Sequence, residues 1–389
     1  MSLQRRRLLQ ALPATLALPL RAWAAEGRTV APGRFLLIFL RGGFDGLFAF
    51  APQETRLAEL RPTLSRALLA EGKALGQTGF TAHPGAADLA ALYAAGELSF
   101  APCAGTLDTS RSHFQAQDLF EIGSGAIHGR TGFMARAAAQ LGAGSGAISF
   151  TREIPLAFRG GEIPPAVAPL SGSGLDLPQG RLLDAIRASH RGQATGEAME
   201  QALATQAEIE MATGMEPRAS RGAPGGNGLS SMMKTMGQIL RGNRRMSLAF
   251  MDIGGVDTHA NEEAALTRLL PALGEGLLTL RDTLGAEEWQ RTRVAVLSEF
   301  GRTVRENGTR GTDHGHGGLC LLAGGALTGA GLLGGFDGLA DGALNENRDL
   351  PVRADWRDLL ASAMREPCGL DAAALDAVFP GRPRQSYRV

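Results

Sequence analysis

Four short polar segments, each beside an apolar run, carry the residues able to do chemistry in this chain. In the first, Leu40-Arg41-Gly42-Gly43-Phe44-Asp45-Gly46-Leu47, a double glycine is followed by a carboxylate. An aspartate at the carboxyl end of a strand can hold a metal ion, or cap the next turn. The second, Ser110-Arg111-Ser112-His113-Phe114-Gln115-Ala116-Gln117-Asp118, sets a hydroxyl beside an imidazole. Ser112 is a candidate nucleophile with His113 as its partner and Arg111 alongside, and equally a candidate helix N-cap. A helix N-terminus also stabilises an activated oxygen or an anion.

The third segment is Asp252-Ile253-Gly254-Gly255-Val256-Asp257-Thr258-His259. Asp257 and His259 are two residues apart, so in extended backbone they point to the same side and suit one ion. The fourth runs from Ser298-Glu299-Phe300-Gly301-Arg302-Thr303 to Gly311-Thr312-Asp313-His314-Gly315-His316-Gly317-Gly318. Three of the 7 histidines (His259, His314 and His316) fall in the motifs at strand ends, together with Asp45, Asp257, Glu299 and Asp313. The pattern predicts a metal or anion site. Imidazole with carboxylate favours zinc or manganese, with calcium or magnesium less natural. Arg41, Arg111 and Arg302 lie inside the motifs, where a guanidinium matches the non-bridging oxygens of an ester or serves a structural ion pair.

The elements that must position these residues are readable as apolar runs. Phe35 to Leu40, Leu98 to Ala101, Ser247 to Met251, Val294 to Leu297 and Leu319 to Ala323 read as buried strands of a parallel sheet covered on both faces. Helical patterns lie between them: Ala86 to Ala95, Arg181 to Ala212, Glu262 to Leu284 with a break expected at Pro271, and Trp356 to Met364. Alternating strand and helix implies a layered α/β fold. The chain beyond residue 24 reads as one domain, residues 25–389, with surface insertions near 155–178 and 215–230 that are rich in Gly, Pro and Ser.

The first 24 residues read as a targeting segment. Gln4-Arg5-Arg6-Arg7-Leu8-Leu9-Gln10 precedes a moderately apolar stretch, and Ala22-Trp23-Ala24 offers a cleavage site. This predicts export by the twin-arginine translocation machinery, which carries folded proteins, and a periplasmic or otherwise exported location. No stretch is long and apolar enough to predict a membrane span in the mature chain. Formal net charge is +0, and removing the four arginines of residues 1–24 leaves −4. That balance gives no support for nucleic-acid binding. Cys103, Cys320 and Cys368 form no C-x-x-C pair and permit at most one bridge; Cys320 sits in an apolar run and reads as a small buried hydrophobe.

Taken together, the leader, L-R-G-G-x-D-G-L, R-S-H-F-x-A-Q-D, D-T-H-A-N, S-E-F-G-R-T and G-T-D-H-G-H-G resemble the exported bacterial family catalogued as domain of unknown function 1501, over nearly the whole chain. That family is grouped with the alkaline-phosphatase-like superfamily of phosphatases, sulfatases and phosphomutases. The resemblance implies a three-layer α/β/α sandwich with a mostly parallel sheet. It implies metal binding by Asp45, Asp257, His259 and His314, with Glu299 in the place of a further ligand, Asp252 in reserve and Ser112 as nucleophile. A metal-binding histidine of the superfamily is here Phe300, which cannot bind metal, unless His113 or His316 replaces it. The implied function is a metal-dependent hydrolase of phosphate or sulfate esters, acting on a small anionic ester. The alternative is a non-catalytic envelope protein that binds a metal, a glycan or another anion on the same fold.

Overall fold

Every residue of Arg34–Leu40 is buried, and this run forms β1 near the middle of an eight-stranded sheet. The computed structural model describes residues 31–389 apart from 107, 109, 127–128, 143, 164, 169–183, 185–186, 191–199, 201–225 and 329–330. The leader, and nearly all of the helix expected over 181–212, lie outside the described residues.

In chain order the sheet also contains β5 (Leu98–Gly105), β6 (Gly146–Ser149), β7 (Ala166–Val167), β8 (Met246–Ile253), β9 (Thr292–Ser298), β10 (Gly318–Ala323) and β11 (Ala354–Asp355). Its spatial order is β11-β5-β10-β9-β1-β8-β6-β7. β9, β1, β8, β6 and β7 run parallel, β10 runs antiparallel to both its neighbours, and β11 is parallel to β5. A separate three-stranded sheet contains β2 (Phe50–Pro52), β3 (Lys73–Ala74) and β4 (Phe80–Ala82).

The side chains of β1 alternate between two cores, as the period of two along a strand requires. Leu36, Ile38 and Leu40 join a cluster with Leu273, Leu277 and Leu280 of a long helix over Glu262–Gln290. Phe35, Leu37 and Phe39 join a second cluster with Phe120, Phe133 and Trp356. Helices therefore cover both faces of a mostly parallel sheet, which is a three-layer α/β/α sandwich.

The long helix does not break at Pro271. It continues to Gln290, and its non-helical residue is Gly285, at φ 77°. Proline removes one backbone hydrogen bond, but the leucine stripe from Leu266 to Leu284 keeps the flanking turns seated on the sheet. Of the two expected insertions, the first contributes the edge strand β7, and residues 226–230 of the second begin a helix over Gly226–Gly242. The three cysteines are buried and unpaired, and burial pushes each thiol up to about 12. Among the described residues no helix is long and apolar enough to cross a membrane.

Candidate metal centre

The carboxyl ends of β1, β5, β8 and β9 and the start of antiparallel β10 meet at one rim of the sheet, where the four motifs lie. Open α/β sheets place ligands at this rim. Its turns are tight. Gly42 and Gly43 adopt φ of 127° and 68°, and a Cβ on Gly43 would sit 2.5 Å from the Phe300 ring. The double glycine is needed for that approach and that backbone conformation.

One buried side chain fastens three of the loops. The Arg302 guanidinium donates to the carbonyls of Gly42, Gly43, Val256 and Thr312, and to Asp257 Oδ1 at 2.6 Å. An isolated bridge pairs Arg302 with His314 and sets the histidine loop against the end of β9. Arg302 thus holds the rim together, with its side chain fully buried.

Within this frame His113, Asp257 and His314 each offer a ligand atom, all within 4.8 Å of one another. His113 Nε2 lies 3.4 Å from Asp257 Oδ2, and His314 Nε2 lies 3.5 Å from Asp257 Oδ1. His259 adjoins them, with Nε2 2.9 Å from His314 Nε2 and 3.0 Å from Asp257 Oδ1.

Each ring is oriented from behind by a group that only accepts. His113 Nδ1 lies 2.7 Å from Glu299 Oε1, His314 Nδ1 lies 2.7 Å from the Arg111 carbonyl oxygen, and His259 Nδ1 lies 3.1 Å from Asp313 Oδ1. An acceptor at Nδ1 fixes the proton there, so in the neutral ring the lone pair sits on Nε2. Three Nε2 atoms thus face one carboxylate, and the 2.9 Å contact between those of His259 and His314 needs a proton or an ion between them. This arrangement of outer acceptor, imidazole and inner lone pair is how proteins hold a histidine-bound metal. The buried Nε2 of His113 has no hydrogen-bond partner among the described residues, as a ligand atom awaiting an ion requires.

The charges agree with this. Burial pushes the Asp257 carboxyl up, but the Arg302 hydrogen bond and charge, with His113 and His259, hold it below its ordinary range. Burial lowers His314, and the nearby His113, Arg302 and His259 add to this against the Arg111 carbonyl, favouring the neutral ring that binds metal.

Several expected ligands lie elsewhere. Asp45 is fully buried in a two-point ion pair with Arg61 and caps the turn Gly46–Ala49 by accepting from the Leu47 amide. Its oxygens are taken, so its place is structural. Glu299 stands behind His113 and accepts from the Gly42 amide, Ser298 Oγ, Gln117 Nε2 and His113. Burial raises its carboxyl, and these bonds more than offset that. Glu299 therefore orients His113, with its oxygens occupied by these donors.

His316 is not among the residues whose ligand atoms converge; its Nδ1 lies 2.7 Å from Asp349 Oδ2, and its buried Nε2 has no hydrogen-bond partner among the described residues. Asp252 is bound to Arg41 at 2.6 Å. Arg41 also meets Glu121, and Arg111 pairs with Glu346 and Asp349. Ser112 occupies the N-cap of the helix His113–Ile122, is exposed and makes no capping bond through its side chain. Phe300 forms an apolar wall of the cluster, its ring 4.8 Å from that of His113 and 4.9 Å from that of His314. His113 thus supplies an imidazole next to the Phe300 position.

Sequence spacing gave no hint of Arg61, Gln117 or Asp349, which bond to motif residues from outside the motifs or from a position without a conspicuous type. Glu262 was also missed. It is buried against Thr312 Oγ1 at 2.6 Å and against Asp45.

The fold and the cluster together define a three-layer α/β protein with a histidine–aspartate centre at the carboxyl rim of its sheet. Residues 106–386 match the family described as "Protein of unknown function (DUF1501)", and the chain belongs to that family. No curated protein matches it. Among solved structures it is similar to Ps i-CgsB in complex with k-i-k-neocarrahexaose, at 8% identity and a TM-score of 0.41 over 88% of this chain and 74% of that one. It is also similar to a mutant of alkaline phosphatase PafA, at 8% identity and a TM-score of 0.27 over 72% of this chain and 64% of that one.

Proposed function

We propose that the protein is an exported, metal-dependent hydrolase of phosphate or sulfate esters, built around one divalent transition ion. The observation that carries the metal is the convergence of the His113, His259 and His314 Nε2 atoms on the Asp257 carboxylate, each Nδ1 fixed by an acceptor. Nitrogen-rich donors of this kind suit zinc or manganese over magnesium or calcium. A bound ion would polarise the ester and stabilise charge on its oxygens.

The chain's own groups account for the rest. Ser112 lies next to His113 at a helix N-terminus, where the free amides favour an anion. Its Oγ is free of a capping bond and is the candidate nucleophile. In the proposed step Oγ bonds to phosphorus or sulfur as the ester oxygen departs, and its proton passes to solvent. Water then releases the anion from the serine. Glu299 keeps His113 in the ligand tautomer, and Arg302 keeps Asp257 ionised. The arginine pair and apolar run of the leader support the twin-arginine export that this reading includes.

One observation favours the alternative of a non-catalytic metal- or anion-binding envelope protein. If His259 joins His113, Asp257 and His314, four protein ligands close the coordination shell, as in structural sites; with His259 outside it, a position stays open, as in catalytic ones. Metal analysis of the exported protein decides the first point and an ester panel the second. Bound transition metal, with turnover of p-nitrophenyl phosphate or sulfate abolished in Ser112→Ala, supports the hydrolase. Metal without turnover supports the binding protein, and no metal in either the purified or the reconstituted protein refutes the hydrolase and the metal-binding form of the alternative.

A further inference from the structure

Beside the metal centre runs a second cavity of about 570 Å³, lined along one side by the helix that begins at His113. The two are joined through Gln117, whose Nε2 donates to Glu299 while its Oε1 accepts from Arg41, and Gln117 and Arg41 both line the cavity. At its edge Phe114, the residue after His113, is 87% exposed, and Ile154 on the opposite segment is 36% exposed. These are two of the three large hydrophobic side chains exposed among the described residues. A phenylalanine left in water forgoes the stabilisation that burial would give it. An aromatic face held open next to a polar centre is what a ligand that covers it would require.

The charge of the cavity selects the ligand. Arg41, Arg152 and Arg159 face Asp118, Glu121, Glu153 and Asp252, a formal balance of −1. A polyanion would meet more repulsion than attraction there. Arg41 is already held by Glu121 and Asp252, and the Arg159 Nε by the Ile154 carbonyl. What the walls offer is a mixture of donors and acceptors around an apolar platform. A pyranose ring has the matching surface: its C–H face packs on the negative face of an aromatic ring, and its hydroxyls both donate and accept. The volume is within the range of small-ligand sites and admits a sugar ring with its neighbour.

We infer that this cavity is a carbohydrate subsite that receives the uncharged body of a saccharide, stacked on Phe114. The inference deepens the proposed function, since it makes the substrate a phosphorylated or sulfated sugar whose charged group meets the metal centre.

The test is calorimetric titration of the purified protein with cellohexaose, chitohexaose and xylohexaose, repeated in Phe114→Ala, Phe114→Trp and His314→Ala. At least one neutral hexasaccharide is expected to bind. Phe114→Ala should weaken it roughly three- to tenfold and Phe114→Trp should preserve it. His314→Ala should leave neutral-sugar binding unchanged even where metal is lost, so failure of the hydrolase reading does not imitate failure of this one. Turnover of p-nitrophenyl esters by a protein that binds none of the sugars overturns the subsite alone. Binding unaffected by Phe114→Ala also overturns it, as does Phe114-dependent self-association in sedimentation, which would assign the exposed ring to a second copy of the chain.

Discussion

In the proposed metal centre, Glu299→Gln isolates the outer support without touching a proposed ligand atom. In the native protein one carboxylate accepts four donors, and the bond from His113 Nδ1 is 2.7 Å. A carboxamide has only one accepting oxygen. Placed toward His113 and Gln117, that oxygen leaves the amide NH₂ against Ser298 Oγ and the Gly42 amide; the reverse rotamer sets NH₂ against the His113 Nδ1–H. The first is tolerable because Ser298 can rotate to accept, but the negative charge that strengthens the histidine as a ligand is gone. The second drives the imidazole toward the tautomer with its proton on Nε2, where it cannot bind an ion. Removing such an outer partner lowers metal affinity by about 10–100-fold, or roughly 1.4–2.8 kcal/mol. Competition with a chromophoric chelator for zinc, on protein whose circular dichroism and melting are checked in parallel, measures it. An affinity within twofold of wild type in a folded variant would refute the assignment of Glu299 as the group that orients His113.

Three further outcomes follow from the structure. His314→Ala removes a ligand atom and should reduce zinc affinity by more than Glu299→Gln does, while the melting temperature of the metal-free protein changes little; equal effects of the two variants on affinity would contradict the ligand set. Arg61→Met strands the buried Asp45 carboxylate and should cost about 3–5 kcal/mol in chemical denaturation, whereas a loss under 1 kcal/mol would show that the pair is not desolvated. Glu262 is pushed up to about 9 by burial, then by the Asp45 charge and hydrogen bond, from an ordinary 4.5. A carboxyl raised by folding gives its full stability below its unfolded pKa and loses it as pH climbs toward the folded one. Glu262→Gln, which keeps a neutral donor toward Asp45, should therefore gain stability relative to wild type between pH 5 and 9, and a gap that stays constant with pH would show that Glu262 is ionised in the fold.

The strands and their polar ends were legible because an unbroken apolar run such as Phe35 to Leu40 has only one economical home, the middle of a covered sheet. That Asp257, His259 and His314 belong to one cluster was legible because type and spacing coincide at strand ends. The division between inner and outer shells was not. Glu299 and Asp45 are both acids at a strand end, yet one supports His113 and the other is neutralised by Arg61, 16 residues further along. His113 lies 186 residues from Glu299, and no local spacing announces that contact. His316 differs from His314 by two positions, which in this loop places its Nδ1 on Asp349 and removes it from the cluster. Pro271 misled because the missing hydrogen bond is visible in the sequence and the leucine packing that overrides it is not.

The fan of bonds from Arg302 has a consequence for how quickly an ion can be captured. Its guanidinium joins the loops after β1 and β8 to the histidine loop through contacts that need no ion. The chain has therefore surrendered the freedom of these loops during folding, ahead of any encounter. Arrival of an ion should be limited by shedding its own hydration water, with little waiting for the polypeptide to rearrange.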